Sequence, residues 1–332
     1  LDRRGLSFQF SVSLDGLILS QFKSSSRNPK RFVLPRYSLE AGKTYEVILT
    51  VIRGAASDNP DSTTASIEVV VGYGRVVTVV NGGDFRSLRA GTTIVLDASN
   101  SFDEDKQGVV GPSAGISYAY SCQQIFPTMA VDCPGIILRV LRAPFGYGEK
   151  VQATYSSLGS GRKSIITVTT RVGTRSSSKS VVVEGVSAAT PVVNFRANKK
   201  AGSGFDLSKV NVNSRSDVYA LVDAAVSGTA SWTLDNFDLL DITSLEPVTS
   251  TTRAIPAGSA IPINLGIPAG KLDSGATYRF RLTVILASGE AGSAYVDIST
   301  NSPPTPGTFA CPPTTGTELT TVFSMQALAW SD

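Results

Sequence analysis

The sequence predicts an all-β protein built as a tandem array of β-sandwich modules. The triplet Leu-Thr-Val at 49–51 returns as Ile-Thr-Val at 166–168 and as Leu-Thr-Val at 282–284, at intervals of 166 − 49 = 117 and 282 − 166 = 116 residues. A fixed period of this length indicates modules of the common domain size. No long segment has a 3.6-residue apolar stripe, so we expect few or no helices.

Each copy of the triplet lies in the first strand of a predicted closing hairpin. The six strands alternate apolar and polar residues or are short and rich in Val and Ile, and polar or Gly-containing turns separate them. They are predicted at 46–51 and 66–71, at 165–171 and 181–183, and at 279–286 and 294–298. Short strands between Gly, Ser and Pro turns favour sandwiches over βαβ units.

A second pattern, Leu-x-x-Gly-x-x-Tyr, follows a proline in two of the modules. It ends ten residues after Pro35 at Tyr45 (45 − 35 = 10) and ten residues after Pro268 at Tyr278 (278 − 268 = 10). In immunoglobulin-like sandwiches a Tyr at this place bonds its hydroxyl back to the preceding corner. Tyr45 and Tyr278 are therefore predicted to be structural tyrosine corners, and a ligand-stacking role is the alternative.

The hairpins set the predicted module boundaries. Residues 1–74 are the C-terminal part of an immunoglobulin-like module, 75–187 and 188–300 are complete sandwiches, and 301–332 are a linker and the start of a further module. The linkers are only a few residues long and the last one is rich in Pro, which predicts a rod-like array. We expect both ends of the chain to be cut from a longer polypeptide.

Composition argues against several classes of function. The 332 residues contain no histidine, which removes the commonest general base and the commonest metal ligand. We therefore predict neither an enzyme nor a cofactor. The 30 basic and 27 acidic residues are interspersed, so nucleic-acid binding is not expected. No apolar run approaches the length of a membrane-spanning helix.

The acidic stretch from Asp97 to Asp105 is a candidate calcium site. Asp97, Asp103, Glu104 and Asp105 supply the carboxylate oxygens that Ca²⁺ prefers, but the Gly and Glu positions of an EF-hand loop are not met. The alternative, which we favour, is a structural turn in which short polar side chains bond loop amides.

Two of the three cysteines are predicted to form a disulfide. Cys122 and Cys133 lie eleven residues apart (133 − 122 = 11) on either side of a loop with Pro127. Closing a loop of this size stabilises a fold by about 3 kcal/mol. A free buried pair is the alternative, the spacing gives no metal or redox motif, and Cys311 is left over.

Two groups of segments resemble a known family. Residues 81–86 (NGGDFR), 96–105 (LDASNSFDED) and 118–122 (YAYSC) resemble the PKD-like opening of the receptor-for-egg-jelly (REJ) module of polycystin-1-type receptors. Residues 301–332, from Asn-Ser-Pro-Pro to Trp-Ser-Asp, resemble the opening of a further repeat of that family. Tyr120 stands where the family has Trp, and Cys311 lies near the family's cysteine positions without coinciding with them.

The resemblance implies immunoglobulin, PKD or fibronectin III-like sandwiches in the ectodomain of a large membrane-anchored or surface-assembled protein of cilia, flagella or gametes. Its partners would be other extracellular or surface proteins, neighbouring copies, or a polycystin-2-like channel reached through the parent protein. The segment itself would touch neither membrane nor nucleic acid.

Three functions are compatible with these sequence features. The first, which we predict, is a non-catalytic spacer or tether on the extracellular side of the cell surface. The second is a module that binds a protein or glycan ligand, for which the aromatics Phe126, Phe145 and Tyr147 are the only sign. A covered sheet edge explains those aromatics equally well. The third is an accessory region of a secreted enzyme.

Overall fold

The protein is described by a computed structural model that covers residues 6–53, 61–142, 147–156, 161–196, 209–235, 241–302, 306–317, 320–321 and 326–328. The chain divides into two compact units. The first comprises residues 1–74 and 304–332, and the second comprises residues 75–303.

The first unit contains a four-stranded antiparallel sheet of order β2-β1-β3-β4. Its strands are β1 (Leu6–Leu14), β2 (Leu17–Ile18), β3 (Thr44–Arg53) and β4 (Asp61–Val70). Aromatic residues of the segment between β2 and β3 pack on one face of the sheet. The ring of Phe32 stacks on Phe10 at 5.1 Å, and Phe22 meets Tyr45 edge-on at 6.1 Å.

The second unit begins with a sandwich of nine strands. They are β5 (Val76–Val77), β6 (Phe85–Arg89), β7 (Thr93–Asp97), β8 (Phe102–Asp103), β9 (Ser117–Phe126), β10 (Ile136–Leu141), β11 (Lys150–Tyr155), β12 (Lys163–Val172) and β13 (Arg175–Val186). One sheet has the order β10-β11-β7 and the other β6-β13-β12-β9, with β5 and β8 as a separate pair. Alternate residues of the central strands, such as Ile166 and Val168, are fully buried between the sheets. We call this the second sandwich, because it follows the sheet β2-β1-β3-β4 along the chain.

The third sandwich follows in the same unit. Its strands are β14 (Val192–Arg196), β15 (Lys209–Val210), β16 (Ser216–Ala224), β17 (Gly228–Leu234), β18 (Thr252–Ile255), β19 (Gly258–Ile267), β20 (Thr277–Leu286) and β21 (Ala291–Thr300). The sheets have the orders β14-β16-β19 and β15-β21-β20-β17-β18. Trp232, Phe280, Leu282 and Val284 lie in its core.

In the first unit, β22 (Thr308–Ala310) pairs with β23 (Gln326–Leu328).

The three repeats of the triplet occupy the same strand position but are buried to different degrees. Ile166, Val168, Leu282 and Val284 are all 0% exposed. The corresponding side chains on β3 are only half-buried. The difference is that the second and third sandwiches enclose these residues between two sheets, whereas in the described part of the first unit β3 belongs to a four-stranded sheet and the other strands are the short pair β22 and β23.

The predicted all-β class is confirmed. The predicted closing hairpins are β3–β4, β12–β13 and β20–β21, each with strands as long as or longer than expected. Within the described ranges the helical elements are two 3₁₀ turns, Gly111–Ala114 and Ile242–Leu245. No helix in those ranges is long and apolar enough to cross a membrane. The module boundaries near 75, 188 and 301 stay a prediction.

Candidate functional site: the joint between two sandwiches

The second and third sandwiches meet along β6, at one edge of the sheet β6-β13-β12-β9. Gly82 and Gly83 precede this strand with φ of 102° and 87°, a region that favours glycine. A Cβ on Gly83 would lie 2.8 Å from Cδ2 of Phe195 and 3.2 Å from the carbonyl oxygen of Tyr295. The two glycines therefore let the turn before β6 approach the third sandwich closely.

Six side chains from both sandwiches form what we call the joint. They are Asp84, Phe85 and Lys179 of the second sandwich, and Arg279, Tyr295 and Asp297 of the third.

Four charged side chains and one backbone N–H form a connected set of ion pairs and hydrogen bonds in the joint. The Asp84 carboxylate pairs with Lys179 Nζ at 2.7 Å and accepts the backbone N–H of Asp297 at 3.1 Å. The Asp297 carboxylate in turn accepts Nε and Nη2 of Arg279, both at 2.8 Å. This hydrogen bond raises the pKa of Arg279 above its usual range. Charge-assisted, two-pronged contacts of this kind fix geometry as well as adding energy.

Aromatic rings lie beside the charged groups of the joint. The rings of Phe85 and Tyr295 stack with centroids 5.5 Å apart. The guanidinium of Arg279 lies 4.1 Å from the Tyr295 centroid, and that of Arg281 lies 5.5 Å away. Burial raises the pKa of the Tyr295 phenol. The Phe85–Tyr295 stack joins the two sandwiches and is worth about 0.5–1.5 kcal/mol, whereas the cation–π contacts lie within the third sandwich and orient Tyr295 for that stack.

Arg89, at the end of β6, bonds the connection between the sandwiches. Its Nε and Nη2 donate to the carbonyl oxygen of Thr190 at 3.0 and 2.7 Å, and Nη2 also reaches the carbonyl oxygen of Asp223 at 3.2 Å. Thr190 lies in the short segment between β13 and β14. The arginine therefore ties the linker to both sandwiches.

A cavity of about 300 Å³ lies beside the joint. Its lining residues are Asn81, Gly82, Arg86, Ile94, Val95, Asp97, Asn194 and Phe195. Arg86 is 5% exposed and donates to the carbonyl oxygens of Val95, at 3.1 Å, and Asn81. Burial lowers the pKa of Arg86 to about 10. These two hydrogen bonds hold the turn before β6 against β7.

The structure divides the predicted calcium ligands between two places. Asp97 ends β7 and faces Lys150 at 3.7 Å, whereas Asp103 and Asp105 both bind Arg175. No cluster of three acidic or cysteine ligands that could hold a metal occurs in the residues that the structure describes. Asp103 lies in the short strand β8, which divides the stretch from Asp97 to Asp105 into two parts.

Local turns still occur at both places. The Asp97 carboxylate accepts the N–H of Ser99 at 2.9 Å, and the Asp103 carboxylate accepts the N–H of Asp105 at 3.2 Å. Each is the bond from an Asp side chain to the amide two residues on that defines an Asx turn.

The remaining predicted site residues make contacts within their own modules. Cys122 and Cys133 form a disulfide with their Cα atoms 5.7 Å apart. The hydroxyl of Tyr45 accepts the N–H of Glu40 at 3.1 Å, and that of Tyr278 accepts the N–H of Asp273 at 2.8 Å. Both tyrosines thus bond back to the corner before their strand.

The aromatic residues noted as a sign of ligand binding are not gathered into a described site. Phe126 is 52% exposed and Tyr147 is 81% exposed, and Phe145 lies outside the described residues. The joint was not found by sequence reasoning, although Asp84, Phe85 and the two glycines lie in a segment that carries the family resemblance.

The REJ domain family model matches residues 18–332. The chain belongs to the REJ domain family. It is similar to human polycystin-1, with 26% identity over 314 residues that make up 91% of this chain and 7% of the relative. The chain therefore spans a small part of that protein's length.

Solved structures of immunoglobulin domains also match. Titin I-band fragment I67–I69 is 9% identical, with 89% of this chain and 88% of that chain covered and a TM-score of 0.23. Sidekick-1 immunoglobulin domains 1–5 are 10% identical, with 90% and 53% covered and a TM-score of 0.25. At these scores the likeness carries no argument, and the strand pairing described above defines the sandwiches.

Proposed function

We propose that this chain is a non-catalytic spacer in the extracellular part of a large surface protein, where it holds neighbouring modules at a fixed distance and orientation. The joint is the observation that carries the proposal. Asp84 accepts the backbone N–H of Asp297 and Phe85 stacks on Tyr295 across the two sandwiches, and Arg89 fastens the short linker between them. A spacer needs such connections because loosely linked domains would not hold a distance.

Two further observations support the extracellular placement. Membership of the REJ family and similarity to polycystin-1 indicate a receptor-type surface protein. The disulfide between Cys122 and Cys133 suits an oxidising compartment. We extend the proposal to a ciliary or flagellar surface, to a parent protein anchored in the membrane, and to partners among other surface proteins.

A ligand-binding module is the second candidate. The loop closed by the disulfide exposes three apolar side chains, with Phe126 at 52%, Met129 at 75% and Val131 at 94%. Contiguous exposed apolar patches mark protein-interaction sites, and these three side chains lie on one short loop. If this candidate is right, substitutions in the loop should weaken the binding of a partner protein, and substitutions in the joint should not.

The spacer function is tested by measuring the distance between the two sandwiches. In the full chain with Cys311→Ser, spin labels at Ser176→Cys and Ala254→Cys report from exposed positions on the second and third sandwich. A pulsed dipolar measurement should give one narrow distance distribution. The double variant Asp84→Ala, Tyr295→Ala should broaden it, because it removes the hydrogen bond to the backbone of Asp297 and the ring stacked on Phe85, which both join the two sandwiches.

The matched control is Tyr147→Ala, which removes an exposed tyrosine outside the joint. It should leave the distribution unchanged. A broad distribution in the chain with an intact joint would remove the basis for the spacer and favour the ligand-binding candidate.

A further inference from the structure

Arg86, in β6, lines the cavity beside the joint and is 5% exposed. Within the described part of the chain its side chain donates two hydrogen bonds, from Nη1 to the carbonyl oxygen of Val95 at 3.1 Å and from Nη2 to that of Asn81. A guanidinium has five N–H donors, so three remain (5 − 2 = 3). One of them, on Nε, is buried and has no acceptor among the described residues.

Two other arginines of the same unit bind carboxylates. Arg175 binds Asp103 through Nη1 at 2.8 Å and Nη2 at 2.9 Å. Arg279 binds Asp297 through Nε and Nη2, both at 2.8 Å. The side chains of these two arginines are 24% and 38% exposed, so water solvates both better than it solvates Arg86. Of the three, the arginine that most needs a carboxylate is bonded only to carbonyl oxygens.

The two acids whose charges act on Arg86 are engaged by other groups. Asp84 pairs with Lys179 at 2.7 Å, and Asp97 lies 3.7 Å from Lys150. Burial lowers the pKa of Arg86 to about 10, although both carboxylates act to raise it. The protein itself therefore compensates this buried positive charge only in part.

The cavity leaves room beside the guanidinium. Gly82 lines it with φ of 102°, and a Cβ there would lie 2.9 Å from Nη2 of Arg86 and 3.0 Å from the carbonyl oxygen of Phe195. Glycine thus keeps open a space that a side chain would fill. The volume of about 300 Å³ is at the lower end of the range for small-molecule sites. Asn194, also in the lining, makes no side-chain hydrogen bond within the described ranges.

We propose that the cavity beside the joint binds a small carboxylate, with Arg86 as its cationic partner and the side-chain amide of Asn194 as a further donor. A carboxylate suits a guanidinium because two parallel N–H···O bonds can form, as at Arg279 in this same chain. Ile94 and Phe195 also line the cavity and offer apolar contact to the carbon atoms of the ligand. This binding goes beyond the spacer function and does not depend on it.

The test follows the Nε–H signal of Arg86 by ¹H–¹⁵N NMR spectroscopy of the full chain. Sodium acetate should shift this signal to saturation, with half of the change at about 0.1–10 mM. Sodium chloride at the same ionic strength and neutral glucose should not shift it. Glucuronate is the second carboxylate, and tighter binding than that of acetate would identify a sugar acid as the ligand. The Nε–H signal of Arg171, an exposed arginine on β12, is the internal control and should stay in place.

Two variants locate the binding site, with backbone amide signals of the turn before β6 as the readout. Arg86→Lys keeps the charge but loses the two-pronged donor, so acetate should bind about fivefold more weakly or worse. Asn194→Asp adds a negative charge to the lining and should weaken binding by about tenfold. Its matched control is Asn264→Asp, which makes the same change at an exposed position on β19 and should leave binding unchanged.

Three results would overturn the proposal. The first is an Arg86 signal that acetate does not shift over this range. The second is an equal shift with sodium chloride, which would show a general effect of salt. The third is equal binding to the Asn194→Asp and Asn264→Asp variants, which would place the carboxylate elsewhere. The Asn194→Asp arm stands even if Arg86→Lys fails to fold.

Discussion

Replacing Arg175 by Met should destabilise the second sandwich by about 3 kcal/mol or more. Arg175 binds Asp103 through two hydrogen bonds, from Nη1 at 2.8 Å and Nη2 at 2.9 Å, and Nη1 also lies 2.9 Å from Asp105. The Asp103 side chain is only 1% exposed. Without the arginine, a buried carboxylate loses its counter-charge and faces a second acid nearby.

The size of the effect follows from that burial. Breaking a buried ion pair by removing one partner costs about 3–5 kcal/mol, because the other charge is left uncompensated. For a domain of this size, 3 kcal/mol corresponds to a fall in melting temperature of about 10 °C or more. Met keeps the aliphatic stem of Arg, so the change in packing is small beside the change in charge.

Thermal unfolding of the full chain, followed by calorimetry, measures the effect. Arg171→Met is the matched control, because Arg171 is an exposed arginine on the neighbouring strand β12. Its melting temperature should stay within about 2 °C of the unmodified chain. Adding Asp103→Asn to Arg175→Met should recover part of the loss by removing the stranded charge. Equal effects of the two Met variants, or no recovery in the double variant, would refute the reasoning.

Three further predictions concern the predicted site residues. Thiol counting without reductant in denaturant should find one free thiol, and three after reduction, because Cys122 and Cys133 are bonded; three before reduction would contradict the disulfide. Tyr278→Phe should cost about 1 kcal/mol by leaving the N–H at the corner without its acceptor, whereas Tyr147→Phe at an exposed position should cost nothing measurable. Millimolar calcium should not change the melting temperature, since Arg175 already neutralises two of the candidate ligands; a rise of several degrees would show that metal binds the folded state.

The repeats made much of the fold predictable from the sequence. A period of 117 and 116 residues located the three closing hairpins, and the spacing from Pro to Tyr located both corner tyrosines. These features are local, because each is set by residues within a few tens of positions. The same holds for the disulfide between Cys122 and Cys133, which closes a short loop.

The contacts of the joint and the ion pairs of the acidic stretch could not be predicted in the same way. Asp84 meets Asp297 across 213 residues of sequence, and no local pattern marks either as a contact between modules. The acids near Asp103 looked like metal ligands because their counter-charge, Arg175, lies 72 residues away. Long-range hydrogen bonds and ion pairs depend on how strands are brought together, which the repeat alone does not specify.

The joint should hold the second and third sandwiches as one body. Residual dipolar couplings of backbone amides, measured on the full chain in a dilute aligning medium, test this directly. If the joint is rigid, couplings from β12 and β13 and those from β20 and β21 should fit a single alignment tensor. Two tensors of clearly different magnitude would mean that the sandwiches reorient independently, and would contradict the account.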